Sequence, residues 1–419
     1  MNILLKAATI IDPESEFHNS TQDILIENGI IKKIAPSIKN PENIQEIKRE
    51  NLHISQGWFD SSVSFGEPGF EERETILNGL KTAARSGFTS VGLNPNTHPI
   101  MDSSSDISFV SSKASHNPVS LLPIGALTTK SEGVDLAELF DMHSAGAVAF
   151  YDYKKAVRNP NLLKIALQYA SNFDGLVFSF PQEDKIAGQG VMNENETSTR
   201  LGLKGIPALA EALHVTRDLF ILEYTGGKLH IPTISTMASL ELIREAKKKK
   251  LDVTCSVAVH NLYFTDKALT EYNTNFKVLP PLRTKTDTDA LIEGLKDGTI
   301  DMVTCDHNPI DIELKKIEFD HAAFGTIGLE SSFGALQKLF TLKKTIQLLT
   351  QGRERFGIIK APINEGNEAD ITLFNPDGKE TFSKENIVSK SKNAIFENEV
   401  LKGAVYGIIS KNRLALNAI

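Results

Sequence analysis

From about residue 56 to about residue 355 the chain alternates short apolar runs with stretches of helical spacing, and this rhythm constrains the fold more than any other feature. Residues 75–84 have helical spacing, Gly87 stops them, and Thr89-Ser90-Val91-Gly92-Leu93 follows as a strand of the buried type. Further apolar runs lie at 118–124, 145–150, 175–180, 229–231, 253–257 and 302–305. Helical spacing returns at 162–169, 206–213, 239–248 and 290–296. Repeated strand–helix alternation calls for a parallel sheet with helices outside it. The number of units suits a (β/α)8 barrel, although a doubly wound sheet satisfies the same pattern.

The two ends of the chain have β character instead. Ile3-Leu4-Leu5 and residues 8–11 read as two short strands, and Asp23-Ile24-Leu25-Ile26 leads through Asn28-Gly29 into residues 30–34 as a hairpin. Near the other end, residues 369–374 read as a strand closed by Asn375-Pro376-Asp377-Gly378, and residues 404–409 as the last strand. The expected organisation is a small β domain shared by residues 1–55 and 356–419, flanking a barrel over 56–355.

Composition narrows the function classes. The 419 residues are 41% hydrophobic and 23% charged, as in ordinary globular proteins. No apolar run approaches the ~20 residues of a membrane helix. The start, Met1-Asn2-Ile3-Leu4-Leu5-Lys6, lacks the build of a signal peptide, so a cytoplasmic location is expected. Cys255 and Cys305 are too few for a disulfide framework or a thiolate metal site. A net charge of −8 and a pI near 5.8 argue against a nucleic-acid partner. The run Lys247-Lys248-Lys249-Lys250 closes a helical pattern and reads as a solvated helix end.

One stretch carries the question of chemistry. Gly57-Trp58-Phe59-Asp60-Ser61-Ser62-Val63-Ser64 reads as a strand running into the turn residues Glu67-Pro68-Gly69. Ser62 and Ser64, at i and i+2, share one face of that strand. Two hydroxyls there are either a plain strand end or what is left of a site. A nucleophilic Ser62 has no elbow signature around it.

The chain resembles the dihydroorotases of the long bacterial type, in the amidohydrolase superfamily. The motifs behind the resemblance are Glu67-Pro68-Gly69-Phe70-Glu71, Asn94-Pro95-Asn96-Thr97, Gly146-Ala147-Val148-Ala149-Phe150, Gly205-Ile206-Pro207, Ile234-Ser235-Thr236, Pro280-Pro281-Leu282-Arg283, the stretch 293–301, Phe324-Gly325 and Ala369-Asp370-Ile371. Their order and spacing cover nearly the whole chain. The resemblance implies a TIM-like barrel of the amidohydrolase superfamily, and an activity that opens or closes the dihydroorotate ring with a Zn²⁺-generated hydroxide.

Position by position, the resemblance also implies where the chemistry is altered. The family's His-x-His pair falls on Ser62 and Ser64, and two further ligand histidines fall on Pro181 and Thr233. The acidic ligand position falls on Asp152, and the general-base aspartate on Asp306, inside Cys305-Asp306-His307. Hydroxyls are poor zinc ligands and proline offers no donor. The arginine that binds the substrate carboxylate falls on Gly66, a substrate asparagine on Leu279 and a substrate histidine on Ile310. Asn96, Phe324 and Gly325 keep their family identities as substrate-contact positions.

The expectation is a catalytically inactive dihydroorotase homologue of pyrimidine biosynthesis with no zinc and a structural or regulatory role. Aspartate carbamoyltransferase is the partner implied by the resemblance, and self-association is expected. The alternative is an active dihydroorotase or other cyclic amidohydrolase with a rewired zinc site drawn from His230, His260, His307, Asp152 and Asp306. Residue by residue, Asp152 is expected to pair with Lys154 or Lys155, His230 and His260 to be structural, Asn94 and Asn96 to serve turn formation, and Asp306 to hydrogen-bond within its strand end. A sensor that binds a pyrimidine precursor without turnover is a third reading.

Overall fold

The computed structural model describes residues 1–40, 44–359 and 361–417, which form two large sheets and one small one. The chain opens with β1 (Asn2–Ile10), β2 (Thr21–Glu27), β3 (Ile30–Ala35), β4 (Gln45–Ile47) and β5 (His53–Gln56). β1 is one strand where two were expected: the register against β2 shifts between Leu5 and Ala8, and Ala7 takes φ 51° in the bulge. Asn28 and Gly29 join β2 to β3 with φ of 52° and 81°, the double positive φ that a two-residue hairpin of this hand requires.

The barrel follows, with β6 (Trp58–Val63), β7 (Phe88–Leu93), β8 (Ser120–Gly125), β9 (Ala149–Phe150) and β10 (Leu176–Phe178). β11 (Met192–Asn193) and β12 (Gly205–Ile206) form a separate two-stranded ribbon. β13 (Lys228–Ile231), β14 (Val253–Ala258) and β15 (Met302–Thr304) complete the barrel. The order is β6-β7-β8-β9-β10-β13-β14-β15, all parallel. The two edges meet: Val63 bridges His307, and the Ser64 N–H donates to the His307 carbonyl at 2.7 Å. Asp60 pins this seam, accepting from Thr304 Oγ1 at 2.6 Å and from the Cys305 N–H at 2.7 Å. The eight strands therefore close as a barrel, and the doubly wound alternative is excluded.

Helices cover the outside. Ile76–Arg85 starts at Thr75, whose side chain accepts from the Asn78 N–H. Its inward face, Ile76, Leu80 and Ala83, is buried with Trp58, Phe65 and Phe88. Each fully buried large apolar side chain stabilises the fold by about 1.5–3 kcal/mol, and Leu80→Ala would cost about 2–5 kcal/mol. Two sequence expectations give way here. Residues 206–213 are not one helix, because Ile206 pairs with Asn193 and the helix Ala208–Thr225 begins only after Pro207. Of residues 145–150, only β9 is strand, because Gly146, at φ 108°, turns the chain off the helix Leu139–Ser144.

The C-terminal strands return to the first sheet as β16 (Ile371–Thr381), β17 (Val400–Ser410) and β18 (Arg413–Leu416). The sheet runs β18-β17-β16-β5-β1-β2-β3, with β4 against β1, so both termini build it. It has its own core, including Ile3, Ile24, Ile54, Ile371 and Ile409. β16 does not end at Asn375: the Asp377 N–H donates to Asn375 Oδ1 at 2.9 Å, and the register shifts between Asn375 and Lys379, so the turn residues form an irregularity inside one long strand. Residues 404–409 are not in the last strand either, since Lys411 and Asn412 turn at positive φ into β18. Among the described residues no helix is long and apolar enough to cross a membrane.

Candidate functional site

The carboxyl ends of barrel strands are where this architecture gathers side chains for chemistry. Ser62 and Ser64 do share a face, and a single group bridges them: Asn94 Nδ2 donates to Ser62 Oγ at 3.0 Å and to Ser64 Oγ at 3.3 Å. Ser64 Oγ donates in turn to Asn96 Oδ1 at 2.9 Å. Asn94 and Asn96 thus do more than form a turn: from the loop after β7 they hold the two hydroxyls that end β6. Among the described residues no imidazole hydrogen-bonds either serine, so neither has a base to activate it.

Asp306 stands beyond β15 at φ 47° and is buried. Its partners come from the far side of the barrel. Lys154 Nζ lies 2.7 Å from Oδ2, and the Tyr153 hydroxyl donates to Oδ1 at 3.2 Å. Burial pushes the Asp306 carboxyl above its ordinary value, and the Lys154 ammonium, first among the opposing groups, pulls it back. The expectation of bonding within its own strand end holds only for its backbone N–H, which reaches Thr304 Oγ1 at 3.0 Å.

Asp152 faces elsewhere. Its carboxylate accepts from the N–H groups of Leu127 and Thr128, both at 3.0 Å, and from the Thr128 hydroxyl. The expected pair with Lys154 or Lys155 does not form. Two backbone donors already fix Asp152, Lys154 crosses to Asp306, and Lys155 donates to the Ser131 carbonyl at 3.1 Å.

The three histidines sit apart in separate roles. His230 is buried against Phe178, with ring centroids 4.5 Å apart, and bonds Thr254 Oγ1 at 2.9 Å and Ser256 Oγ at 3.1 Å. His307 Nδ1 accepts from the Gly328 N–H at 3.2 Å, at the start of the helix Leu329–Leu339. His260 is buried with its Nε2 unpartnered. Burial holds all three rings neutral, lowering His260 and His307 to about 3 and His230 well below its usual value. Thr233, at φ 49°, offers its backbone N–H to Ser256 Oγ at 3.1 Å, and Pro181 is buried with nothing to donate.

Zinc fits these residues poorly. Ser62 and Ser64 are held by an amide, Asp152 is turned to a loop, Asp306 is neutralised by an ammonium, and both nitrogens of His230 are engaged. Among the described residues no three His, Cys, Asp or Glu side chains gather as a metal cradle, so the rewired set of His230, His260, His307, Asp152 and Asp306 does not assemble.

The substrate-contact positions are used internally as well. Gly66 sits at φ 101°, and a Cβ there would lie 2.6 Å from the Phe70 carbonyl, so an arginine has no room in this turn. The Ile310 N–H donates to Asn393 Oδ1 at 3.1 Å, and Asn393 Nδ2 donates to the Gly325 carbonyl at 3.2 Å. A cavity of about 310 Å³ is lined by Gln182, Lys277, Leu279 and Phe324, among others. Lys277 is buried in its wall, donating to the carbonyls of Phe319 at 2.7 Å and Asp320 at 2.9 Å, with Nζ 4.9 Å from the Phe324 ring centroid. Lys315 is buried behind it and is lowered to about 7, by burial first and then by the charges of Lys277 and Lys154. This buried lysine pair is absent from the sequence reading, because Lys277 and Lys315 stand 38 positions apart and carry no spacing signal.

The motifs that keep their identity hold loops in place. Glu211 accepts from the N–H groups of Ser235 and Thr236, both at 3.0 Å, and from both of their hydroxyls. Arg283 reaches Ser235 Oγ at 3.0 Å, Asn193 Oδ1 at 2.8 Å and the Ile206 carbonyl at 2.6 Å, with Glu211 at 3.8 Å. Asp301 accepts from the Cys255 N–H at 2.8 Å and pairs with Lys247 at 2.7 Å, so the first residue of the lysine run is docked rather than solvated.

Comparison with known proteins places this geometry. A family model described as dihydro-orotase-like matches residues 53–239. A dihydroorotase of Pelotomaculum thermopropionicum is 39% identical over 423 residues, covering 99% of each chain. A dihydroorotase of Geobacter metallireducens is 38% identical over 411 residues, covering 96% of this chain and 97% of its own. Among solved structures, an L-hydantoinase (dihydropyrimidinase) from Arthrobacter aurescens superposes with a TM-score of 0.86 at 19% identity, over 99% of this chain and 95% of that one. A dihydropyrimidinase from Brevibacillus agri gives 0.82 at 20% identity, with the same coverage. These structures share the fold.

Proposed function

The chain belongs to the dihydroorotase family, and from that premise we propose that it serves pyrimidine biosynthesis without opening the dihydroorotate ring itself. The observation that carries this reading is Lys154 Nζ at 2.7 Å from Asp306 Oδ2. An ammonium stands where a metal-dependent member would need a free carboxylate to take a proton from metal-bound water. The hydroxyls at Ser62 and Ser64, the crowded turn at Gly66 and the missing donor at Pro181 support the same reading. The role proposed in place of catalysis is structural or regulatory, with aspartate carbamoyltransferase as the partner enzyme.

The experiment is a dihydroorotate hydrolysis assay on the purified protein, with and without added Zn²⁺, run beside elemental analysis. The expected result is no turnover above background and zinc well below one per chain. Turnover at ordinary enzymatic rates that Asp306→Ala abolishes would overturn the proposal and favour an active cyclic amidohydrolase. Co-sedimentation with aspartate carbamoyltransferase tests the partner separately: a complex is expected, and its absence would leave that assignment without support.

A further inference from the structure

The cavity of about 310 Å³ has a charge imbalance in its wall. Lys277 lines it and is 2% exposed, and Lys315 behind it is 3% exposed. A lysine ammonium has three protons to donate. Lys277 Nζ uses two, on the carbonyls of Phe319 and Asp320. Lys315 Nζ reaches the carbonyls of Thr274 at 2.9 Å and Lys277 at 3.4 Å. Carbonyls satisfy hydrogen bonds but carry no net charge. Among the described residues no carboxylate makes an ion pair with either lysine. The Asp306 carboxylate belongs to Lys154. Asp320, the acid in the cavity wall, is itself exposed and acts on Lys277 only from a distance. Two neighbouring buried ammonium groups without a counter-ion are costly to keep. An anion entering the cavity relieves that cost.

The walls define the rest of the ligand. Val191, Ile206, Leu279, Ala322 and Phe324 line the cavity, and Lys277 is the cation among its lining residues. A single lining cation suits a single negative charge. Apolar walls cannot replace the water around a compact, strongly hydrated oxyanion such as phosphate. They can bury a carbon skeleton. Lys277 Nζ stands 4.9 Å from the centroid of the Phe324 ring. A planar body can therefore lie against that ring while its carboxylate meets the ammonium.

We propose that this cavity binds a small organic monocarboxylate with a planar, apolar body, held at its charged end by Lys277 with Lys315 behind it. The inference goes beyond the role proposed above and does not depend on it, because binding is read without turnover.

The test is isothermal titration calorimetry of the full chain with sodium benzoate as the probe. Saturable binding at one site per chain is expected. Benzamide, the same ring without the charge, should bind about 10–100-fold more weakly, the worth of one charge-assisted hydrogen bond. Lys277→Met should weaken benzoate by the same factor. Leu279→Trp, at a half-buried position, fills the cavity and should abolish binding with both lysines in place, so the proposal stays testable if Lys277→Met fails to fold. Proton linkage gives a second signature. Lys315 is lowered to about 7, by burial first and then by Lys277 and by Lys154 from the end of β9. A bound carboxylate favours its ammonium form. Benzoate should therefore bind with more proton uptake at pH 8 than at pH 6, its affinity should fall as pH rises through 7, and Lys315→Met should lose the uptake. No benzoate binding, equal binding of benzamide, displacement of benzoate by an equal concentration of inorganic phosphate, or wild-type affinity in Lys277→Met or Leu279→Trp would overturn the proposal.

Discussion

The Glu211 network and the Asp306 strand end are both buried and both charged, yet they are tied differently. Glu211 has four hydrogen-bond donors and an arginine within 3.8 Å, all fixing the loops after β12 and β13. Asp306 has two donors, Lys154 and Tyr153, both reaching it from the end of β9. The first arrangement spends two bonds on backbone N–H groups and two on the hydroxyls of the same two loop residues. The second only balances a charge. Family motifs thus sort into side chains that keep loops in place and side chains that would meet a reacting molecule, and the two sets can change independently on one fold.

The contrast can be broken most sharply at Glu211. Glu211→Ala strands Arg283 and two buried N–H groups, and should cost about 3–5 kcal/mol, read as a fall in the urea midpoint. A cost below about 1 kcal/mol would mean the two regions do not differ as described.

Lys154→Met should come next, at about 2–4 kcal/mol near pH 8, because it leaves a buried carboxylate with one neutral donor. The folded carboxyl is already raised by burial. The folded state therefore holds its proton more tightly than the unfolded chain, and stability falls as pH rises from the ordinary carboxylate value toward the folded one. The deficit of Lys154→Met should accordingly shrink toward pH 4–5, and Asp306→Asn added to it should recover most of the loss at pH 8. A deficit that does not change with pH would assign the effect to packing.

The buried imidazoles give an effect of the opposite sign that accumulates with acid rather than with a substitution. His260 and His307 are lowered to about 3, so the unfolded chain binds protons first. Stability should drop as pH falls from about 6.5 toward 3, by about 1.4 kcal/mol per pH unit for each ring. A urea series over pH 4–8 measures this, and His307→Gln should make the slope shallower. Asn94→Ala should have the smallest effect, about 1–2 kcal/mol, for two hydroxyls losing one shared donor.

Much of this was legible in the chain. The strand–helix rhythm predicts the barrel because each unit signals locally, and the i, i+2 spacing of Ser62 and Ser64 alone sets their common face. The Asn28-Gly29 hairpin follows from two residues that tolerate positive φ. Pairings across the barrel were not legible. Lys154 and Asp306 are 152 positions apart, and nothing near either one announces the other. Asp152 looked like the partner because it was adjacent, whereas two N–H groups from the preceding strand end had already claimed it. Turn-rich residues mislead where tertiary pairing overrides them: Asn375-Pro376-Asp377-Gly378 reads as a stop, but β17 pairs with β16 on both sides of it.

The sheet woven from both termini sets a timetable. β5 meets β16 through Gln56 and Ile371, so this edge of the N-terminal strands waits for the chain between them to be made. At ~5–20 residues per second that wait is on the order of 15–60 s. During it β5 presents an open edge of unpaired backbone groups to the surroundings, the kind of edge that pairs with other chains. That edge stays open until the last eighth of the sequence, from Ile371 on, arrives.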